Sequence, residues 1–120
     1  MYPNAVYYCS QSVAFAGCAL SVDGGLTYGN QNPMWTSDQC FGIHGHVKVA
    51  PNDGTVYVPD KMCGAPECLI ATSTASPHCQ PGFAVSTNNG ATWTVHTIND
   101  MHARLYNTGD PSIGIGANGT

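Results

Sequence analysis

Apolar residues in this chain gather in short runs rich in β-branched and aromatic side chains, each bounded by polar, Gly- or Pro-containing clusters. Residues 5–9 (Ala-Val-Tyr-Tyr-Cys), 47–50 (Val-Lys-Val-Ala), 55–58 (Thr-Val-Tyr-Val) and 92–98 (Thr-Trp-Thr-Val-His-Thr-Ile) have this character. Such runs are too short for helices and fit a pleated, half-buried surface, so they predict strands. Asn52-Asp53-Gly54 separates two of them and predicts a tight hairpin turn, because Asp and Gly tolerate positive φ. Residues 18–21 and 82–86 predict two further strands. Each leads into a Ser-containing motif that a strand follows.

Those motifs repeat. Ser21-Val22-Asp23-Gly24-Gly25-Leu26-Thr27-Tyr28 recurs 65 residues later as Ser86-Thr87-Asn88-Asn89-Gly90-Ala91-Thr92-Trp93. Asp53-Gly54-Thr55 and Asn118-Gly119-Thr120 share the same offset. Two motifs in one register mark a structural repeat. Strands ending at Ala50 and spanning 55–59, 83–86 and 92–98 give four per unit, a meander of the kind that builds β-propeller blades.

The pattern Ser-x-Asp-x-Gly-x-Thr-aromatic resembles the Asp-box, or BNR repeat, of sialidase-like propellers. Residues 21–28 match at every position, and 86–93 depart once, with Asn88 in place of Asp. The stretches 44–50 and 110–116 also look like strand starts in secreted sialidase-like proteins. The residues of the box have a physical reading of their own. Asp23 accepts hydrogen bonds from its own turn, Gly25 and Gly90 permit positive φ, and Tyr28 and Trp93 plug the turn onto the blade. Asn88 keeps the acceptor oxygen and loses the charge, so the second turn is expected to be the weaker. The resemblance implies an all-β fold of propeller blades in an incomplete ring. Residues 1–38 would supply strands two to four of one blade, 39–100 a full blade, and 101–120 the start of the next.

In sialidases the boxes lie opposite the substrate pocket. The resemblance therefore assigns 36–46, 60–81 and 99–111 to the pocket face, with Asp38, His44, His46, Asp60, Glu67, His78, Asp100, His102, Arg104, Tyr106 and Asp110 on it and Lys48 just beyond. Val6-Tyr7 aligns with Val56-Tyr57 at an offset of 50, which leaves the second unit about 15 extra residues between its second and third strands. That loop is expected to be both functional and disulfide-braced.

Composition narrows the partners. Only 8% of the chain is charged, with three Lys and Arg against seven Asp and Glu, for a net charge of −4. Clustered cations for phosphate are missing, which argues against nucleic acid. No apolar run approaches the roughly 20 residues of a membrane span. Gly (14) and Pro (8) fit a turn-rich chain. Six cysteines (Cys9, Cys18, Cys40, Cys63, Cys68, Cys79) in a short chain point to disulfides and an extracellular or cell-surface location. Cys9 and Cys18 flank a predicted hairpin and are expected to bridge it, and the other four allow two more bridges. Met1-Tyr2-Pro3-Asn4 lacks the charged start of a signal peptide, so a secreted protein would be represented here by a mature form or a fragment.

Candidate chemistry is sparse. His44 and His46, two apart on a predicted strand, would point to one side and contact substrate with Arg104, or else line a central channel as neutral imidazoles. The same pair could hold a metal with His78, Cys79 or Asp110, but no metal or cofactor is expected. Glu67 and Asp110 form the best carboxylate pair for a glycosidase, with Tyr106 a candidate nucleophile, against the alternative of solvated loop side chains. A sialidase clamps its substrate carboxylate with three arginines, and this chain has Arg104 alone; the Arg-Ile-Pro motif is also missing. Asn118-Gly119-Thr120 is a glycosylation sequon on a predicted turn. The expected function is an extracellular sialidase-like segment acting on or binding glycans. The alternatives are a non-catalytic glycan- or protein-binding propeller, or a structural surface or filament protein. The ring would be completed by further blades of the same chain or by a homo-oligomer.

Overall fold

The computed structural model describes residues 4–12, 15–40, 44–64, 79–99 and 110–118. Glu67, Cys68, His78, Asp100, His102, Arg104 and Tyr106 lie outside them. The described residues form two antiparallel sheets and no helix. Sheet A has the order β1 (Val6–Ser12), β2 (Phe15–Ser21), β3 (Asn32–Pro33), and sheet B the order β4 (Lys48–Val49), β5 (Val56–Cys63), β6 (Gln80–Ser86), β7 (Thr94–Thr97). Each sheet is a simple meander, and neither closes on itself.

Most predicted strands are present with shifted ends. The turn at 51–54 forms as its residues dictate. Gly54 takes φ 76° and donates to the Ala50 carbonyl, and Asp53 Oδ1 accepts from the Thr55 N–H. The strand expected after the first motif shrinks to Asn32–Pro33, since Pro33 has no N–H to give to a ladder. Its neighbours still track β2, through Gly29 N–H to Leu20 O and Met34 N–H to Ala16 O, both 2.9 Å. The stretch 110–116, expected to open a further strand, carries no ladder, although Pro111, Ile113 and Ile115 are half-buried in alternation with exposed neighbours.

The core lies between the sheets. Ala16, Cys18, Met34 and Trp35 pack with Cys40, Val58, Cys63 and Ala84, and Cys9, Val47, Trp93 and Val95 close the margin. Val56, Val58 and Ala84 lose all solvent contact, each valine side chain contributing roughly 1.5–3 kcal/mol. Disulfides fix both edges of this core. Cys9 and Cys18 are direct cross-strand partners and are bonded, while Cys40–Cys63 ties the 36–40 turn to the end of β5. Cys79, fully buried, is disulfide-bonded as well. Disulfides of this kind fit folding in an oxidising compartment. No helix among the described residues is long and apolar enough to cross a membrane.

The two motif turns are built alike. In each, the serine hydroxyl accepts the N–H of the glycine four residues on at 2.8 Å (Ser21 from Gly25, Ser86 from Gly90). Oδ1 of Asp23 or Asn88 then accepts the N–H of Thr27 or Thr92, each at 2.9 Å. Gly25 (φ 90°) and Gly90 (φ 76°) take the left-handed conformation, and so do Gly24 and Asn89 before them. The threonine hydroxyls differ. Thr27 donates to Asp23 Oδ2, whereas Thr92 accepts from the Asn88 amide. Asp23 also accepts the Leu26 N–H, a bond that Asn88 Oδ1 lacks because the Ala91 N–H turns to the Asn88 main-chain carbonyl.

Candidate functional site

The motif turns occupy one end of the sheets, where Val6 faces Ser21 and Val56 faces Ser86. At the other end β5 reaches Asp60, where its pairing with β6 shifts register before Cys63. An acidic residue here interrupts an otherwise apolar run, and the fold buries it completely. Asp60 Oδ1 accepts the Met62 N–H at 2.7 Å, while Oδ2 is buried without a hydrogen-bond partner. Burial pushes the Asp60 carboxyl up to about 7, against the opposing pull of the Met62 N–H and of Lys61.

His44 pairs with Asp60 in an isolated antiparallel bridge, so the two side chains leave the same face. The His44 main-chain N–H donates to Gln11 Oε1 of β1, and its ring meets Trp35 edge to face at 6.3 Å. Nδ1 lies 2.8 Å from the Gly45 carbonyl. A neutral ring protonated on Nδ1 donates there and leaves Nε2 as an acceptor. That Nε2 is the second buried atom without a partner. The bridge thus carries one unused imidazole acceptor and, with Asp60 protonated, one unused carboxyl donor.

Gly45 explains how the next segment joins this end. Its N–H donates to the Pro59 carbonyl at 2.7 Å, and any Cβ would overlap the carbonyl of Pro111. Pro111 therefore lies directly on Gly45. Beside it, His46 Nε2 stands 3.9 Å from Asp110 Oδ2, with side chains 76% and 58% exposed. This pair is wet and contributes little to stability.

The predicted residues thus divide. His44, His46, Asp60 and Asp110 occur at one end of the sheets. His44 and His46, expected to share a side, sit in different surroundings: His44 is half-buried under Trp35, and His46 is in solvent. Asp38 is exposed in the 37–39 turn, its carboxyl held below the usual range chiefly by the Thr36 hydroxyl. Lys48 is exposed on β4. Glu67, Tyr106 and Arg104 lie outside the described residues, and so does any pairing of Glu67 with Asp110. Among the described residues no three His, Cys, Asp or Glu side chains come together at metal-binding spacing. Gln11 and Trp35 join the site without any sequence motif to mark them. No protein-family model matches the chain, and no curated protein or solved structure matches it either.

Proposed function

We propose that this chain is a segment of an extracellular, sialidase-like Asp-box propeller that acts on or binds glycans, sheet A supplying three strands of one blade and sheet B a complete blade. One observation carries the reading. Two motifs 65 residues apart fold into the same hydrogen-bonded turn at the same point of two successive meanders. Glycans are the substrate class that fits the opposite end. His46 and Asp110 offer exposed polar groups there.

Binding without turnover is the second reading, favoured by a sequence with a single arginine. One arginine cannot clamp a sialic acid carboxylate three ways. A fluorogenic sialoside and a glycan array, both presented to the intact chain, separate the readings. Turnover supports the hydrolase and array binding without turnover the lectin-like module; silence in both contradicts a glycan role.

A further inference from the structure

Asn118 is the one asparagine of the chain with Ser or Thr two positions on, as N-linked glycosylation requires. Its triplet, Asn118-Gly119-Thr120, stands 65 residues after Asp53-Gly54-Thr55, the offset that also relates the two motif turns. The earlier triplet shows what this sequence builds. Residues 51–54 are exposed between β4 and β5. Gly54 takes φ 76° and donates to the Ala50 carbonyl, and no atom lies within 4 Å of where its Cβ would stand. Asp53 Oδ1 accepts the Thr55 N–H at 2.9 Å, closing an Asx turn. Thr55, through its N–H first and its hydroxyl second, holds the Asp53 carboxyl below its usual range. An asparagine at such a place keeps the oxygen for the threonine and carries an amide nitrogen on the other arm of Cγ.

Asn118 stands at the corresponding point of the next unit. Residues 117 and 118 form a turn after the stretch 110–116, as residues 52 and 53 do after β4, and Asn118 is exposed. Sheets stack through their faces, so a turn at the end of a sheet stays in solvent when a face is covered. Sheet B shows this directly. Sheet A packs on it through the common core, and 51–54 remain exposed.

We infer that Asn118 is a site of N-linked glycosylation, its side-chain amide taking an oligosaccharide from a polyprenyl-diphosphate donor in the secretory pathway. The amide nitrogen attacks the anomeric carbon of the donor's first sugar and gives up one proton. A bond from nitrogen to that carbon forms, the carbon–oxygen bond to phosphate breaks, and the polyprenyl diphosphate leaves. The disulfides fit folding in an oxidising compartment, the setting of that transfer. Only 8% of the residues are charged, so a glycan at this turn adds a hydrated group to a weakly charged surface. The 65-residue register sets Asn118 at the end of the sheets that carries the motif turns. Modification there leaves His44, His46 and Asp110 uncovered and requires nothing of them.

The test directs the chain into the secretory pathway of a eukaryotic cell with a cleavable leader. Intact mass is read before and after peptide N-glycosidase, on microsomal and secreted fractions alike, so a chain held inside the cell is still scored. The wild type is expected to carry one glycan, whose enzymatic removal leaves aspartate in place of Asn118. Asn118→Gln and Thr120→Ala are each expected to carry none. Asp53→Asn completes the same triplet on the earlier turn and is expected to gain a second glycan. A wild type without a glycan, or either of the first two variants with one, would overturn the inference. An Asp53→Asn chain with no added glycan would overturn it equally, because the two turns would then not be equivalent.

Discussion

The Thr27 hydroxyl donates to Asp23 Oδ2 at 2.5 Å, one of two bonds, with that from the Leu26 N–H, that separate the first motif turn from the second. With the Thr27 and Leu26 main-chain N–H groups and the Ser21 hydroxyl, it holds the Asp23 carboxyl far below its usual range, Thr27 contributing most. A depressed folded-state value means stability that is present above the unfolded carboxylate range of about 4 and lost as pH falls through the folded value. Asn88, at the same place in the second turn, does not titrate. Melting temperature recorded from pH 5 down to pH 2 is expected to fall more steeply for the wild type than for Asp23→Asn. Equal slopes would remove Asp23 as an acid-sensitive element.

Asp60 gives the opposite sign. Its folded-state value is raised to about 7 by burial, so its contribution is fully present below the unfolded value near 4 and lost as pH rises through 7. Asp60→Asn keeps an acceptor for the Met62 N–H and carries no charge. The variant is expected to match the wild type near pH 4 and to exceed it at pH 8, by on the order of 4 kcal/mol at most. Urea unfolding at the two pH values measures this. A variant less stable than wild type at pH 8 would show that Asp60 is not a buried carboxyl under strain from ionisation.

The two disulfides with both members among the described residues are expected in the native protein, and non-reducing peptide mapping should recover Cys9–Cys18 and Cys40–Cys63. Replacing both members of either pair by serine should cost about 2–4 kcal/mol. The loss should be larger for Cys40 and Cys63, which close 23 residues rather than 9 and are both buried in the core.

Two glycines should behave differently when a methyl group is added. Gly54 has φ 76° and no atom within 4 Å of where the methyl would stand, so Gly54→Ala meets only backbone strain, about 1 kcal/mol. Gly45→Ala would drive a Cβ into the Pro111 carbonyl, and the Gly45 main chain cannot retreat without losing its bond to Pro59. Its cost should clearly exceed that of Gly54→Ala in chemical denaturation, and equal costs would contradict the close approach of the two segments.

Much of the fold was legible in the sequence because strand runs and turn residues are local signals. Asp53-Gly54 marked its hairpin, and the Ser, Asp or Asn, Gly and Thr of each motif marked the turns that form. The extents of β3 and β5 were less legible. β3 is cut short by Pro33, and β5 runs on to Cys63 because a register shift and a disulfide carry it past Asp60. Gly17 and Gly82 are also 65 apart, and a Cβ at either would sit 2.8 or 2.6 Å from a carbonyl of the next strand, Asn32 or His96. Their spacing was visible in the sequence, but the need for it depends on strands brought together by the fold. The same holds for the site. His44, His46 and Asp110 were candidates by residue type, whereas the burial of Asp60 and its bridge to His44 arise from a long-range pairing that no local pattern encodes.

The glycan reading is tested most directly by amide chemical-shift mapping of the chain during titration with a sialoside and with a neutral oligosaccharide. Shifts are expected to gather on Gln11, His44, Gly45, His46 and Asp110, at the end opposite the motif turns. Shifts centred on Ser21–Tyr28 or Ser86–Trp93, or none at saturating glycan, would contradict it.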